Sequence, residues 1–224
     1  YIDAYNYRGV AYSELKKYQQ AISDFTKVIS LKSDYIDVYN CRGLAYNELN
    51  KYQQAIDDFT KAVELNPNFF EAYYNRGQAY FGQKKYLQAI DDFTKAVKLN
   101  PNFLLVYFSR GVAYNELQKY QQAIPDFTKV LTLKPNYVDA YNYRGLAYLG
   151  LKKYQQAISD FNKAIELNPN FFEAYYNRGQ AYSLLTKYEA AIFDFTKVIT
   201  LKPDYVDAYN YRGIAYSELK KYQQ

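Results

Sequence analysis

Residues 64–80 read ELNPNFFEAYYNRGQAY, and residues 166–182 repeat the same letters at an offset of three times 34 positions. The 34-residue period runs through the whole sequence. A glycine marks it each time, preceded by an arginine and followed two residues later by an Ala-Tyr pair. The glycines of this column are Gly9, Gly43, Gly77, Gly111, Gly145, Gly179 and Gly213. This period predicts a solenoid, in which each repeat buries its apolar face only by stacking on its neighbours.

The period divides the chain into six full repeats and part of a seventh. We place the full repeats at 2–35, 36–69, 70–103, 104–137, 138–171 and 172–205, and the partial repeat at 206–224. We expect these repeats to form a single array. The sequence contains no methionine, so we also expect it to be part of a longer protein.

Each repeat contains two apolar patterns with the period of an α-helix. In the first repeat, Ala4, Tyr5, Gly9 and Tyr12 lie on one face of a helix running from about Ile2 to Leu15. A second pattern, formed by Ala21, Ile22, Phe25, Val28 and Ile29, follows the turn at Lys16-Lys17. Five repeats then carry a proline, which ends a helix. The sequence therefore predicts an all-α fold of antiparallel helix-turn-helix pairs that approach closely at the glycines.

Composition excludes most catalytic and metal-binding functions. Histidine is absent and Cys41 is the single cysteine, so neither a histidine base nor a cysteine-based zinc site is available. No phosphate-binding glycine loop or nucleophile elbow occurs. The adjacent acids Asp57-Asp58 and Asp91-Asp92 point to different sides of a helix, which does not favour acid–base catalysis. We expect no cofactor, no metal site and no enzymatic activity.

The sequence gives a weaker indication of compartment. No apolar run approaches the about 20 residues of a membrane-spanning helix, and no signal-peptide pattern is present. With a single cysteine and no disulfide possible within the chain, a reducing compartment such as the cytoplasm is favoured.

Two columns of opposite charge recur together. The arginine before each glycine is followed sixteen residues later by an aspartate in the six full repeats, beginning with Arg8 and Asp24. In an antiparallel pair of helices these positions lie side by side. We therefore predict an ion pair in each repeat, although a row of ligand-binding arginines is the alternative.

The repeat resembles the tetratricopeptide repeat over the whole chain, with Tyr, Gly, Tyr, Ala, Phe and Pro at the spacings quoted above. Tyr5 and its equivalents stand where this family often has Trp, and Arg8 and its equivalents where it commonly has Leu. The resemblance implies an all-α, right-handed superhelical solenoid whose first helices line a concave groove. It also implies a protein–protein interaction scaffold that binds a peptide segment of its partner in that groove.

The first helix presents six positions to this implied groove. In the first repeat they hold Asp3, Asn6, Tyr7, Val10, Ser13 and Glu14. An asparagine occurs there in nearly every repeat, and its amide can both donate to and accept from a peptide backbone. Asn75 and Asn177 lie one residue later in their repeats than Asn6, Asn40 and Asn142, which breaks a continuous ladder. Peptide binding by some of these asparagines and simple solvation of their side chains both remain open.

The acids at the start of the first helices, Asp3 and its equivalents, have a structural interpretation as capping-box residues that also complement the helix dipole. They also bear on partners. Members of the family that grip acidic chaperone tails use Lys and Arg near these positions, whereas this chain has acids or Leu105. Such a carboxylate clamp is therefore disfavoured.

The fourth repeat departs from the pattern: it reads FLLVYFSRG at residues 103–111, where the fifth reads YVDAYNYRG at residues 137–145. Leu105 replaces the groove acid and Phe108 replaces Asn or Tyr, which predicts an apolar anchoring patch. Replacing Leu105 by Asp and Phe108 by Asn should then weaken partner binding without loss of folding. The candidate binding residues are Asn6, Asn40, Tyr74, Asn75, Phe81, Leu105, Phe108, Val112, Asn142, Leu146, Leu149, Tyr176 and Asn177.

Three further possibilities concern partners. The array could be a targeting or regulatory arm of a larger enzyme. The tyrosine columns could stack on single-stranded RNA, but this needs a basic groove, and the lysines fall at the turns and on the second helices, so nucleic acid is disfavoured. The partial repeat leaves Tyr209, Ile214 and Tyr216 partly uncovered and resembles Tyr1–Gln20, which predicts self-association through the array ends.

Overall fold

The computed structural model of the protein describes residues 1–219, which contain thirteen α-helices and no strand. Helices of 13 residues alternate with helices of 14 residues. The first helices of the repeats are α1 (Ile2–Glu14), α3 (Ile36–Glu48), α5 (Phe70–Gly82), α7 (Leu104–Glu116), α9 (Val138–Gly150), α11 (Phe172–Leu184) and α13 (Val206–Glu218). The second helices are α2 (Tyr18–Leu31), α4 (Tyr52–Leu65), α6 (Tyr86–Leu99), α8 (Tyr120–Leu133), α10 (Tyr154–Leu167) and α12 (Tyr188–Leu201). Residues 220–224, which end the partial repeat, lie outside the described range.

The chain divides into two compact units, residues 1–113 and residues 114–224. In the first unit, each of the helices α1 to α5 packs against the next helix along the chain. In the second unit, α8 to α13 pack in the same sequential manner. First helices of consecutive repeats also touch, as α1 touches α3 and α9 touches α11. Each unit is therefore a stack of helical pairs, and the predicted all-α solenoid is confirmed.

In five repeats a phenylalanine on the second helix packs against the glycine of the first helix. Phe25, Phe59, Phe93, Phe161 and Phe195 have no exposed surface. A Cβ atom placed on Gly43 would lie 2.6 Å from the Phe59 ring. Glycine is needed here because the ring contacts the backbone of the opposite helix, which confirms the predicted close approach.

The turn between the two helices has the same backbone geometry in the six full repeats. Lys16 adopts a left-handed conformation with φ of 56°, the Lys17 amide donates to the Tyr12 carbonyl at 2.8 Å, and the Lys16 amide donates to Ser13 at 2.9 Å. These two bonds form a Schellman motif, which satisfies carbonyls at the end of the first helix. The tight turn sets the two helices side by side.

The predicted capping boxes do not form. The helix α5 begins after Phe69 without a hydrogen bond from a capping side chain, and the same holds for α9, α11 and α13. Instead, Asn66 Oδ1 accepts the backbone amide of Asn68 at 3.0 Å in the preceding loop.

Candidate functional site

Arginines of this column join a first helix to its second helix and to the preceding repeat, as Arg42 shows. Arg42 donates to both carboxylate oxygens of Asp58, at 2.8 and 2.7 Å, and to the Thr26 hydroxyl at 3.0 Å. Its side chain is 16% exposed and that of Asp58 is 7% exposed. Burial raises the pKa of the Asp58 carboxyl, and Arg42 opposes this shift. These arginines are therefore structural, which confirms the predicted ion pair rather than a ligand-binding row.

The same two-pronged pair recurs in other repeats. It joins Arg8 to Asp24, Arg76 to Asp92, Arg144 to Asp160 and Arg178 to Asp194. Arg8 differs because its side chain is 56% exposed. The pairs fix each of these first helices against its second helix. They thereby help to position the side chains at the groove positions.

The groove asparagines bind one another across neighbouring repeats. Asn75 donates to Asn40 Oδ1 at 2.9 Å, and Asn177 donates to Asn142 Oδ1 at the same distance. Asn142 and Asn177 are buried, so neither amide is presented to a ligand. Asn6 makes a longer contact of 3.4 Å with the Tyr35 hydroxyl. These asparagines serve as joints between repeats, and peptide binding by the partly buried Asn6, Asn40 and Asn75 stays a prediction.

Aromatic residues replace the asparagine joints elsewhere. Tyr74 packs edge-to-face on Phe103, with ring centroids 5.2 Å apart, and Tyr176 packs likewise on Tyr205 at 5.1 Å. Gln78 also donates to the Tyr74 hydroxyl at 3.1 Å. Phe108 occupies the equivalent position in the fourth repeat. The Phe108→Asn substitution would therefore change a packed side chain as well as the surface. Leu105→Asp is the better test, because Leu105 is exposed.

The other candidate binding residues lie partly in the first unit and partly in the second. In the first unit Leu105 is exposed, while Phe81 and Val112 are partly buried, and Phe81 packs edge-to-face on Tyr86 at 5.1 Å. In the second unit Leu146 and Leu149 are partly buried against the core around Phe161. Leu105 and Leu149 therefore offer apolar surface, one in each unit.

An open cavity of about 410 Å³ lies in the second unit, between α9, α11 and α13. Its apolar lining consists of Leu149, Leu184, Tyr188, Tyr211 and Ile214, with Ala215. Polar groups are supplied by Gln180, Ser183 and Glu218. Leu184 and Ile214 are each 57% exposed.

Most of this lining was missed in the sequence, where only Leu149 was a candidate. The repeat pattern could have identified more of it. The groove positions of Tyr7, Val10 and Ser13 in the first repeat are those of Tyr211, Ile214 and Ser183 in later repeats. We refer to the cavity and its lining as the groove cavity.

Acidic groups affect the pKa of two tyrosines, one on α9 and one in the loop before α3. In the second unit, burial raises the pKa of Tyr143, and Asp139, Glu116 and Glu173 raise it further. In the first unit, burial raises the pKa of Tyr35, and Asp3 and Asp37 contribute. The acids named in each case come from neighbouring repeats, so they act on one surface.

The described residues also bear on metal sites and membrane spans. Among residues 1–219, no cluster of three or more acidic or cysteine side chains could hold a metal ion. None of the helices in that range combines the length and the apolar character needed to cross a bilayer.

Family models match most of the chain. A model described as a tetratricopeptide repeat matches residues 2–35, 70–103, 105–137 and 138–171, and a second with the same description matches 161–193. A model described as a TPR repeat matches residues 43–84. The chain belongs to the tetratricopeptide repeat family. No curated protein matches the sequence.

Several solved structures share the fold. YrrB, described as a TPR protein with an unusual peptide-binding site, is 25% identical, with a TM-score of 0.73 over 83% of this chain and 96% of its own. MamA is 27% identical, with a TM-score of 0.71 over 75% of this chain and 92% of its own. The APC/C hetero-tetramer Cut9-Hcn1 contains a chain that is 20% identical, with a TM-score of 0.71 over 96% of this chain and 42% of that one. The last likeness concerns the fold alone.

Proposed function

We propose that the protein is a non-catalytic interaction scaffold that binds a peptide segment of a partner in the groove lined by the first helices of its repeats. The groove cavity is the observation that carries this proposal. Its apolar lining with a few polar groups is the usual composition of a ligand-binding pocket. Family membership supports the scaffold role, and YrrB, whose description records a peptide-binding site, has the same fold.

The exposed leucines and isoleucine of the groove cavity supply the anchoring surface. Leu184 and Ile214 belong to consecutive first helices, so an apolar side chain of a bound peptide can contact both at once. Anchors in such desolvated pockets dominate binding energies in protein interfaces. The buried pair of Asn142 and Asn177 joins α9 to α11 in this unit.

Replacing Leu184 and Ile214 by Asp should strongly weaken peptide binding in the second unit. The probe is a phage-displayed library of random dodecapeptides, from which binders are selected and then measured by fluorescence anisotropy. We expect the double variant to lose about 2 kcal/mol or more of binding free energy, because hot-spot anchors contribute that much. Both side chains are largely exposed, so folding should be retained and is checked by circular dichroism.

Phe193→Asp is the matched control for this test. Phe193 is 66% exposed on the second helix α12, and Asp57 and Asp91 already occupy its position in other repeats. Binding should be unaffected by this change. Leu105→Asp applies the same test to the first unit, because the other six repeats carry Asp or Glu there. Affinities that stay unchanged in all the folded groove variants would overturn the proposal.

We also propose that copies of this chain associate through the ends of the array. At one end, Val206, Tyr209 and Ile214 of α13 are exposed. At the other end, Tyr1, Tyr5 and Leu31 line a cavity of about 450 Å³ that includes part of α1 and α2. Exposed apolar surface of this kind favours association.

Light scattering over a range of protein concentrations tests this association. The apparent mass should rise above the 26.4 kDa of the single chain as concentration increases. Val206→Glu should suppress the rise, whereas Phe193→Asp, on the outer face of α12, should leave it unchanged. A mass of one chain at every concentration would contradict the proposal.

A further inference from the structure

Charge is unevenly distributed between the groove positions and the rest of the molecule. The six groove positions of the seven first helices carry ten acids and no lysine or arginine, although the chain has a net charge of +5. The acids of the first unit are Asp3, Glu14, Asp37, Glu48 and Glu71. Those of the second unit are Glu116, Asp139, Glu173, Asp207 and Glu218. Each unit therefore presents an acidic face within a basic protein.

The basic residues lie elsewhere. Arginines such as Arg42 and Arg178 point into the helical pairs and bind aspartates there. Lysines occur at the turns, on the second helices and in the loops between repeats, as Lys17, Lys61 and Lys32 illustrate. The surface pairs Lys61–Glu64 and Lys163–Glu166 are confined to second helices. The basic side chains of the protein therefore do not occupy the groove positions beside its acids.

Helix stability explains only some of these acids. Those in the first turn, such as Asp37 and Asp139, complement the positive end of the helix dipole. Glu14, Glu48 and Glu218 instead lie at the last residue of their helices. A negative charge there opposes the dipole and is unfavourable for the helix. Glu48 has a structural role, because it accepts a hydrogen bond from the Tyr18 hydroxyl at 3.3 Å, whereas helix stability does not account for Glu14 and Glu218.

The acids also lie beside the apolar and aromatic anchors. Glu218 belongs to the lining of the groove cavity, next to Leu184 and Ile214. Tyr143 is close enough to Asp139 and Glu173 to be affected by both charges. A lysine or arginine of a ligand could pair with such carboxylates and lie over the tyrosine ring. A phosphate-bearing ligand would be repelled.

We propose that the segment bound by this groove is basic, with lysine or arginine side chains placed around an apolar anchor. This inference rests on the proposed peptide-binding function and adds the chemistry of the partner. Complementary charge speeds encounter and excludes wrong partners, so an acidic groove selects against acidic segments.

The random dodecapeptide library tests the charge of the ligand without presupposing it. Peptides enriched on the protein should contain an excess of lysine and arginine over the unselected library. Binding of an enriched peptide should weaken with added salt, because the charged groups are at the surface. Asp139→Asn with Glu218→Gln should weaken it by about tenfold, since each exposed ion pair contributes up to about a factor of five.

Glu166→Gln with Glu189→Gln is the matched control, because it makes the same change in net charge on second helices. Equal effects of the two pairs of substitutions would show non-specific attraction and overturn the inference. Enriched peptides that are neutral or acidic, and that still lose binding with Leu184→Asp and Ile214→Asp, would also overturn it while leaving the proposed function intact. If no selected peptide depends on Leu184 and Ile214 for binding, the proposed function itself is overturned.

Discussion

Arg42→Ala should lower the free energy of unfolding of the first unit by about 3 kcal/mol, because removing one partner leaves the buried Asp58 charge uncompensated. The change also removes the bond from Arg42 to Thr26, which joins two repeats. Urea unfolding followed by circular dichroism measures the loss. Arg8→Ala is the comparison within the same chain, and its smaller expected loss reflects the exposure of Arg8 to water.

The pH dependence of this loss identifies its cause. In the variant the opposing effect of Arg42 is absent, so burial and the neighbouring Asp57 charge place the pKa of the Asp58 carboxyl in the folded state above that in the unfolded state. The folded chain then holds a proton that the unfolded chain releases, and stability is lost as pH rises through the folded pKa. The difference between wild type and variant should therefore be largest at neutral pH and shrink towards pH values of about 4.

A double substitution separates the lost ion pair from lost packing. Arg42→Met with Asp58→Leu removes both charges and keeps apolar volume, so most of the stability should return. Two results together would show that the charge on Asp58 is not the cause. The double variant would be as unstable as Arg42→Ala, and the loss of stability in Arg42→Ala would not change with pH.

Phe59→Ala should destabilise the first unit by about 4 kcal/mol, because it leaves a cavity at a fully buried ring. The same ring decides the effect of adding a methyl group to Gly43. In the wild-type background, Gly43→Ala should cost about 2 kcal/mol, since the new Cβ would overlap Phe59. In the Phe59→Ala background the clash is absent, so Gly43→Ala should be neutral or stabilising. The four proteins of this cycle are compared by urea unfolding.

Gly213→Ala is the matched control for the glycine column. No described atom beyond its own helix neighbourhood lies within 4 Å of a Cβ placed on Gly213. Alanine should therefore stabilise α13 by up to about 1 kcal/mol, the difference in helix propensity between Ala and Gly. Equal losses at Gly43 and Gly213 would show that contact with Phe59 does not explain the glycine.

The sequence predicted the contacts within each repeat well. Arg8 and Asp24, like Gly43 and Phe59, are separated by sixteen residues, and one short turn brings such positions together in every repeat. Contacts between repeats were predicted less well. In the sequence, the one-residue offset of Asn75 from Asn40 breaks a continuous row of asparagines. In the structure, the same offset allows the two amides to meet.

The sequence alone determined the 34-residue period, the two helices of each repeat and the all-α class, because helical periodicity, turn residues and proline act over short stretches of chain. It also identified the glycine and ion-pair columns, whose partners are set by the length of one hairpin. Only the tertiary structure decided which groove side chains bind a neighbouring repeat and which line a cavity. Leu149, Leu184 and Ile214 come from three different repeats, and their meeting depends on ångström-scale distances between stacked helices. A periodic pattern assigns the same face to all such residues and does not contain those distances.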